Sequence, residues 1–250
     1  MQPTAGPVQL RENYRQVRER MAAAAARVGR TGSDVMLVAV TKNATPDQIR
    51  TMVELGQLDL GENRVQQLVQ RAGQLEEFLS RRRTLGGAIG QQVRWHMIGH
   101  LQRNKIKQVA PLVQLIHSVD SLRLAEELHN YAVRQDVVVD CLLQVNASGE
   151  TSKHGVAAPA VIHLAEQIDS MMHLRLRGLM TMAAYSENPE DSRGAFARTR
   201  EIFTELQEQS FCGRSCNILS MGMTNDFEVA IEEGSNLVRI GRALFGEAEA

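Results

Sequence analysis

"VMLVAVTKNATPDQIRTMVELGQLDLGEN", residues 35–63, decides the fold. Residues 35–42 are apolar and largely aliphatic, the composition of a strand covered on both faces. Thr45-Pro46 follows, a helix start with proline in the first turn, and Gly56 stands where that helix should stop. Residues 58–62 then read as a second strand. Strand, helix and strand in such a short stretch predict a βαβ unit with parallel strands.

The same rhythm extends outward. Further strand-like runs are "VRWHMIG" (93–99), "LIHSVD" (115–120), "VVVDCLLQV" (137–145), "LRLRGLMTM" (174–182), "CNILSMGM" (216–223) and "LVRIGRALFG" (237–246). Helical, charge-bearing segments separate them, some with start signals such as Asp120-Ser121 and Asn188-Pro189, and Gly234 marks a stop. Eight strands alternating with helices predict a closed (β/α)8 TIM-type barrel over residues 35–246, preceded by an amphipathic helix over about 8–28, in a single domain spanning 1–250. A doubly wound open sheet is the alternative, weakened in its dinucleotide form because no G-x-G-x-x-G follows the first strand. The stretch "SRRRTLGGAIGQQ" (80–92) fits neither period and reads as a surface loop.

The 250 residues are 43% apolar and 23% charged, with a net charge of −1, which offers no argument for nucleic acid or an anionic membrane. No apolar run is long enough for a membrane span, and the N-terminal "MQPTAGPVQLRENY" does not read as a signal peptide. Cys141, Cys212 and Cys216 are odd in number and lack metal-ligand spacing, so they read as packing residues in a reducing compartment. The expectation is a cytoplasmic protein without a metal.

A barrel places its chemistry at the C-terminal ends of its strands. The first run ends at Thr41-Lys42-Asn43, and the last two carry "SMGMTND" (220–226) and "RIGR" (239–242). Ser220 and Thr224 offer hydroxyls, and Gly222 and Gly241 let backbone N–H groups approach an anion. These turns read either as a phosphate site or as ordinary strand-to-helix connections, which favour the same residues. Lys42 reads either as an amine for a Schiff base with a phosphorylated aldehyde or as a lysine that packs its stem and solvates its head.

The motifs "AVTKN", "GENRVQ", "WHMIGHLQRNK", "HSVDS", "VNASGETSKHG", "GLMTM", "LSMGMTNDFEVAIEEGS" and "VRIGRALFG", in that order over roughly residues 8–246, resemble the pyridoxal phosphate homeostasis proteins, the YggS/PROSC family. The resemblance implies a fold-type III barrel like the N-terminal domain of alanine racemase, binding pyridoxal 5'-phosphate (PLP) as a covalent aldimine at Lys42. By motif, Arg239 looks like the partner of the pyridine nitrogen. Ser220, Thr224 and Gly241, with the backbone of Arg242, look like phosphate ligands. Asn63, His96 and Met97 look like ring-side residues, and Met223 like a further cofactor contact. Two departures stand out: the 80–92 stretch is longer than the family pattern, and Thr224 occupies a position where serine is expected.

The implied arginine has a consequence. A guanidinium stays protonated below about pH 12, so it donates to an unprotonated ring nitrogen and blunts the ring as an electron sink. The sequence also ends at "FGEAEA", soon after the eighth strand, without a second domain to complete an enzyme site. The expectation is therefore a monomeric PLP carrier in intracellular PLP homeostasis, with delivery to apo-enzymes as its use, no catalytic residue, and neither nucleic acid nor membrane as partner. The competing expectation is an amino-acid racemase or decarboxylase of the same fold, with His96, His100 or Tyr185 as acid or base. "GETSKHG" (149–155) lacks the order of a nucleotide-binding loop, and Lys153 reads as a solvated lysine or one near the ligand.

Overall fold

The computed structural model describes residues 5–84, 92–147, 154–209, 211 and 215–246. Helix α1 (Pro7–Arg27) leads into β1 (Met36–Val40), α2 (Pro46–Glu54), β2 (Asp59–Glu62), α3 (Val65–Thr84) and β3 (Arg94–Met97). Then come α4 (Ile106–Val109), β4 (Val113–Val119), α5 (Leu122–Gln135), β5 (Val139–Asn146), β6 (Val156–Ala157) and α6 (Val161–Asp169). The chain continues through β7 (Leu174–Thr181), α7 (Arg193–Glu208), β8 (Ile218–Ser220), α8 (Phe227–Glu232), β9 (Leu237–Ile240) and α9 (Arg242–Phe245).

Among the described residues all strand pairings are parallel, and the ring β1-β2-β3-β4-β5-β7-β8-β9 closes through β1–β9 and β4–β5. The barrel expected from the alternation is present, and each of its eight strands falls within or overlaps one of the eight runs. β6 was not expected; it is a two-residue strand added outside the ring on β5.

Two boundaries differ from the sequence expectation. Residues 80–84 continue α3 instead of opening a loop. Leu75 and Leu79 keep its buried face, and Arg81, Arg82 and Arg83 pair with Glu77, Glu54 and Glu76. The rest of the supposed loop, 85–91, lies outside the described residues. The 237–246 run is a four-residue strand followed by α9, because Gly241 interrupts the apolar sequence and turns it. Of the cysteines, Cys141 is free and buried, and Cys216 is disulfide-bonded, which packing alone did not predict. Cys212 lies outside the described residues.

The core has two layers. A large one lies between strands and helices, and a small one inside the barrel is built from Val38, Leu115, Leu142, Met180 and Leu237. Along β9, Leu237 points inward, so Arg239 two residues on does too, by the period of a strand. Helix α1 lies along the outside, with Arg20 and Arg27 paired to Glu228 and Glu232 of α8.

One strand residue is under unusual constraint. Register slips between β5 and β7 so that Cys141 faces Leu176 and Leu142 faces Gly178, which turns Arg177 out to Asp140 at 2.9 Å. Gly178 takes φ +141°, and a Cβ there would lie 1.9 Å from the Ile218 carbonyl oxygen on β8. Backbone within a barrel cannot yield as a side-chain tip can. Gly178→Ala is expected to cost about 4 kcal/mol, seen as a fall of about 10 °C in the melting midpoint. A wild-type midpoint would refute the constraint.

Candidate functional site

A cavity of about 490 Å³ opens at the C-terminal ends of the strands. Lys42, Asn63, Met223, Thr224, Arg239, Gly241 and Arg242 all line it, so the structure gathers seven of the residues singled out in sequence from four separate loops and strand ends.

The loop that carries Lys42 is held from below. Thr41 donates its amide to Gly61 O at 2.9 Å, and its hydroxyl to the Glu62 carboxylate. Arg71, reaching up from α3, pairs with that same carboxylate. It also donates to the carbonyls of Thr41 at 2.5 Å, Ala44 at 3.0 Å and Lys42 at 3.3 Å. Lys42 thus has a fixed backbone and an exposed side chain facing the cavity. Glu62 is fully buried.

The turns after β8 and β9 lean on one another. Gly222 sits at φ +95°, where a Cβ would come within 2.6 Å of Ala230 Cβ and 2.9 Å of Phe227 Cα. The backbone there passes too close to α8 for any larger residue. Asp226 ties the turn by accepting the Met223 amide at 2.6 Å, and the Arg239 amide donates to Gly222 O at 3.0 Å. Across the gap, Ala243 N donates to Thr224 Oγ1 at 3.4 Å and Arg242 Nη2 to Asn225 Oδ1 at 3.3 Å. Burial raises the Asp226 carboxyl above its ordinary range, against the Met223 amide and the Arg239 charge, which favour its ionised form.

Arg239 is 3% exposed, with Nη1 donating to Ser220 Oγ at 2.6 Å and Nη2 to Thr181 O at 2.8 Å. Burial lowers its pKa to about 10, so it remains a cation at neutral pH. Two of its five N–H groups are spoken for by these bonds, which leaves donors for a ligand at the cavity wall. Asn63 Oδ1 is buried without a partner among the described residues. The Lys42 amine and the Arg239 guanidinium therefore meet at one cavity, with Asn63 on its wall.

Three expected residues take other places. Ser220 is fully buried and bonded to Arg239 and His117, so its hydroxyl is not among the groups lining the cavity. His96 is 2% exposed, is bonded to His117 and Asp59, and does not line the cavity. Met97 is fully enclosed in the layer between strands and helices. The reason is common to all three: they are strand residues whose side chains commit to the barrel interior or its outer core, whereas the cavity is lined mainly by the residues that follow the strands.

His100 and Tyr185 line the cavity. His100 Nδ1 lies 3.3 Å from Asp120 Oδ2, and the His100 ring stacks on His154 at 4.6 Å; Tyr185 is 73% exposed. The ligand atoms of His100, Asp120 and His154 lie within 4.8 Å of one another. Lys153 lies outside the described residues. Sequence reasoning missed Asp226, Asp59 and His117. A histidine inside the apolar run "LIHSVD" was the visible signal for the last.

The chain matches the family described as alanine racemase, N-terminal domain, over residues 8–249. It is 39% identical over 240 residues to the pyridoxal phosphate homeostasis protein of Aquifex aeolicus, covering 94% of this chain and 97% of that protein. A solved structure of an unknown protein from Bifidobacterium adolescentis superposes with a TM-score of 0.87 at 36% identity, covering 96% of this chain and 95% of that one. PipY of Synechococcus elongatus, solved with PLP bound, superposes with a TM-score of 0.75 at 31% identity, covering 92% of this chain and all of that one.

Proposed function

The chain belongs to the family of pyridoxal phosphate homeostasis proteins, and from that premise we propose that its cavity binds and stores PLP. The observation that carries the reading is the convergence of the Lys42 amine, the Arg239 guanidinium and the paired turns at Thr224 and Gly241 on one cavity. PLP needs an amine for its aldehyde, a partner for its ring nitrogen and donors for its phosphate.

Lys42 supplies the amine, and its condensation with the aldehyde, with loss of water, forms the Schiff base. Arg239 donates to the ring nitrogen, while the Thr224 hydroxyl and the backbone at Gly241 and Arg242 receive the phosphate. Met223 and Asn63 border the ligand. When bound, PLP supplies an aldehyde and an electron-accepting ring. A buried cation at the ring nitrogen keeps that nitrogen unprotonated and weakens the acceptor, which favours storage over turnover. The carrier works as a cytoplasmic monomer and releases PLP to apo-enzymes. Among the described residues no helix is long and apolar enough to cross a membrane.

Reconstitution with PLP tests the reading. Purified protein is expected to show a visible absorbance band that borohydride fixes, with the adduct mapping to the peptide carrying Lys42, and to pass PLP to an apo-enzyme. His100 and Tyr185 on the cavity wall make racemisation the rival outcome. Turnover of L-amino acids at roughly 1 per second or faster would overturn storage in favour of catalysis.

A further inference from the structure

Five polar side chains form one hydrogen-bonded file through the barrel, and the storage reading uses only the last of them. His96 Nε2 lies 3.2 Å from Asp59 Oδ1, His96 Nδ1 lies 3.0 Å from His117 Nε2, and His117 Nδ1 lies 3.0 Å from Ser220 Oγ. Ser220 Oγ then meets Arg239 Nη1 at 2.6 Å. His117 and Ser220 are fully enclosed. Asp59 is the first residue of β2, so the file starts at the N-terminal mouth, where Arg94 grips the carboxylate with two bonds of 2.6 and 2.7 Å. It ends at the cavity on the opposite mouth.

The direction of the hydrogens follows from the two ends together with the buried Ser220 hydroxyl, whose one acceptor among the described residues is His117 Nδ1. A guanidinium only donates and a carboxylate only accepts. Ser220 accepts from Arg239 and gives its own proton to His117 Nδ1. His117 is therefore neutral, carries its hydrogen on Nε2 and donates to His96 Nδ1. His96 in turn carries its hydrogen on Nε2 and donates to Asp59. Burial, with the Arg239 charge nearby, holds His117 well below its ordinary pKa, in agreement with a neutral ring.

Magnitudes decide what the file does. Burial opposes ionisation of Asp59, yet the hydrogen bonds from His96 and Arg94 outweigh it and bring the carboxyl down to about 2. Arg239 keeps its proton to about 10. Asp59 therefore keeps its negative charge and Arg239 its proton at neutral pH. The file is polarised.

We infer that Asp59, His96 and His117 are positioning residues for PLP, acting through Ser220 to hold the Arg239 fork with its free N–H groups turned to the ring nitrogen. This rests on the storage reading. Every oriented link presents its negative end to Arg239, and the Thr181 carbonyl holds the other arm of the fork. None of the three is among the residues that line the cavity.

Histidine-15N NMR of the protein without PLP tests the file itself. His117 is expected as a neutral ring protonated on Nε2, unchanged between pH 6 and 9, with His96 Nδ1 accepting its hydrogen. Asp59→Asn keeps the shape but lets its amide either accept or donate, so the file can run in both directions. The His117 signal is then expected to become a mixture of tautomers while the melting midpoint shows the fold retained. In PLP titrations, Ser220→Ala should weaken binding about tenfold, the weight of one hydrogen bond to a charged group, and Asp59→Asn by a smaller factor. A wild-type His117 protonated on Nδ1, or wild-type affinity in both variants, would overturn the inference alone. Failure of the wild-type protein to bind PLP would overturn the storage reading with it.

Discussion

Lys42→Ala is expected to abolish the borohydride-fixable band and to weaken PLP binding by on the order of 100-fold. The whole covalent link is lost, whereas the contacts proposed for Arg239 and the two phosphate turns stay in place. Stability should hardly move, within about 0.5 kcal/mol, because the Lys42 side chain is exposed and only its backbone carbonyl is bonded from below. That separation makes the result readable, since lost binding cannot then be ascribed to lost fold. Lys42→Arg is the sharper control: it keeps the charge and the length but removes the nucleophilic amine, because a guanidinium does not deprotonate near neutral pH. It should behave like the alanine variant. If either protein kept the fixable band, another amine would be the attachment point and the assignment of Lys42 would fall.

Arg71→Ala is expected to be the most destabilising of the charge changes near the site. Glu62 is fully buried, and its Oε2 has no partner among the described residues even with Arg71 in place. Removing the arginine leaves a buried carboxylate whose remaining support is the Thr41 hydroxyl. An orphaned buried charge costs about 3–5 kcal/mol, a fall of about 10 °C in the melting midpoint for a chain of this size. The same change frees the carbonyls of Thr41, Lys42 and Ala44, so the loop that presents Lys42 should loosen and PLP leave faster. Adding Glu62→Gln to Arg71→Ala should recover part of the stability by removing the stranded charge, while the loop stays loose. Equal stability of the single and double variants would show that the pair contributes through packing and not through charge.

Much of this architecture was legible in the residues. The strand-helix-strand of 35–63 and its recurrence specify a parallel barrel because an apolar run covered on both faces, alternating with amphipathic helices, has few other ways to bury itself. Lys42, Thr224 and Gly241 were legible for the same reason: the ends of such strands must meet at one mouth. The loop reading fails at 80–84 because the glycines that follow break both periods in sequence, whereas Arg82 pairs with Glu54 of α2 and the helix runs on to Thr84.

Ser220, His96 and Met97 show where local reading stops. Each lies in a motif that follows the expected pattern, yet which way a strand residue points depends on register and on a two-residue period that a single shift reverses. The residues from 35 to 246 determined by themselves eight strands alternating with helices and an amine at the end of the first. Only the tertiary structure decided that Asp59, His96, His117, Ser220 and Arg239, brought together from β2, β3, β4, β8 and β9, would share one file of hydrogen bonds. Closure sets those strands face to face across the interior, and a polar group sealed there must find its partner on another strand or not at all.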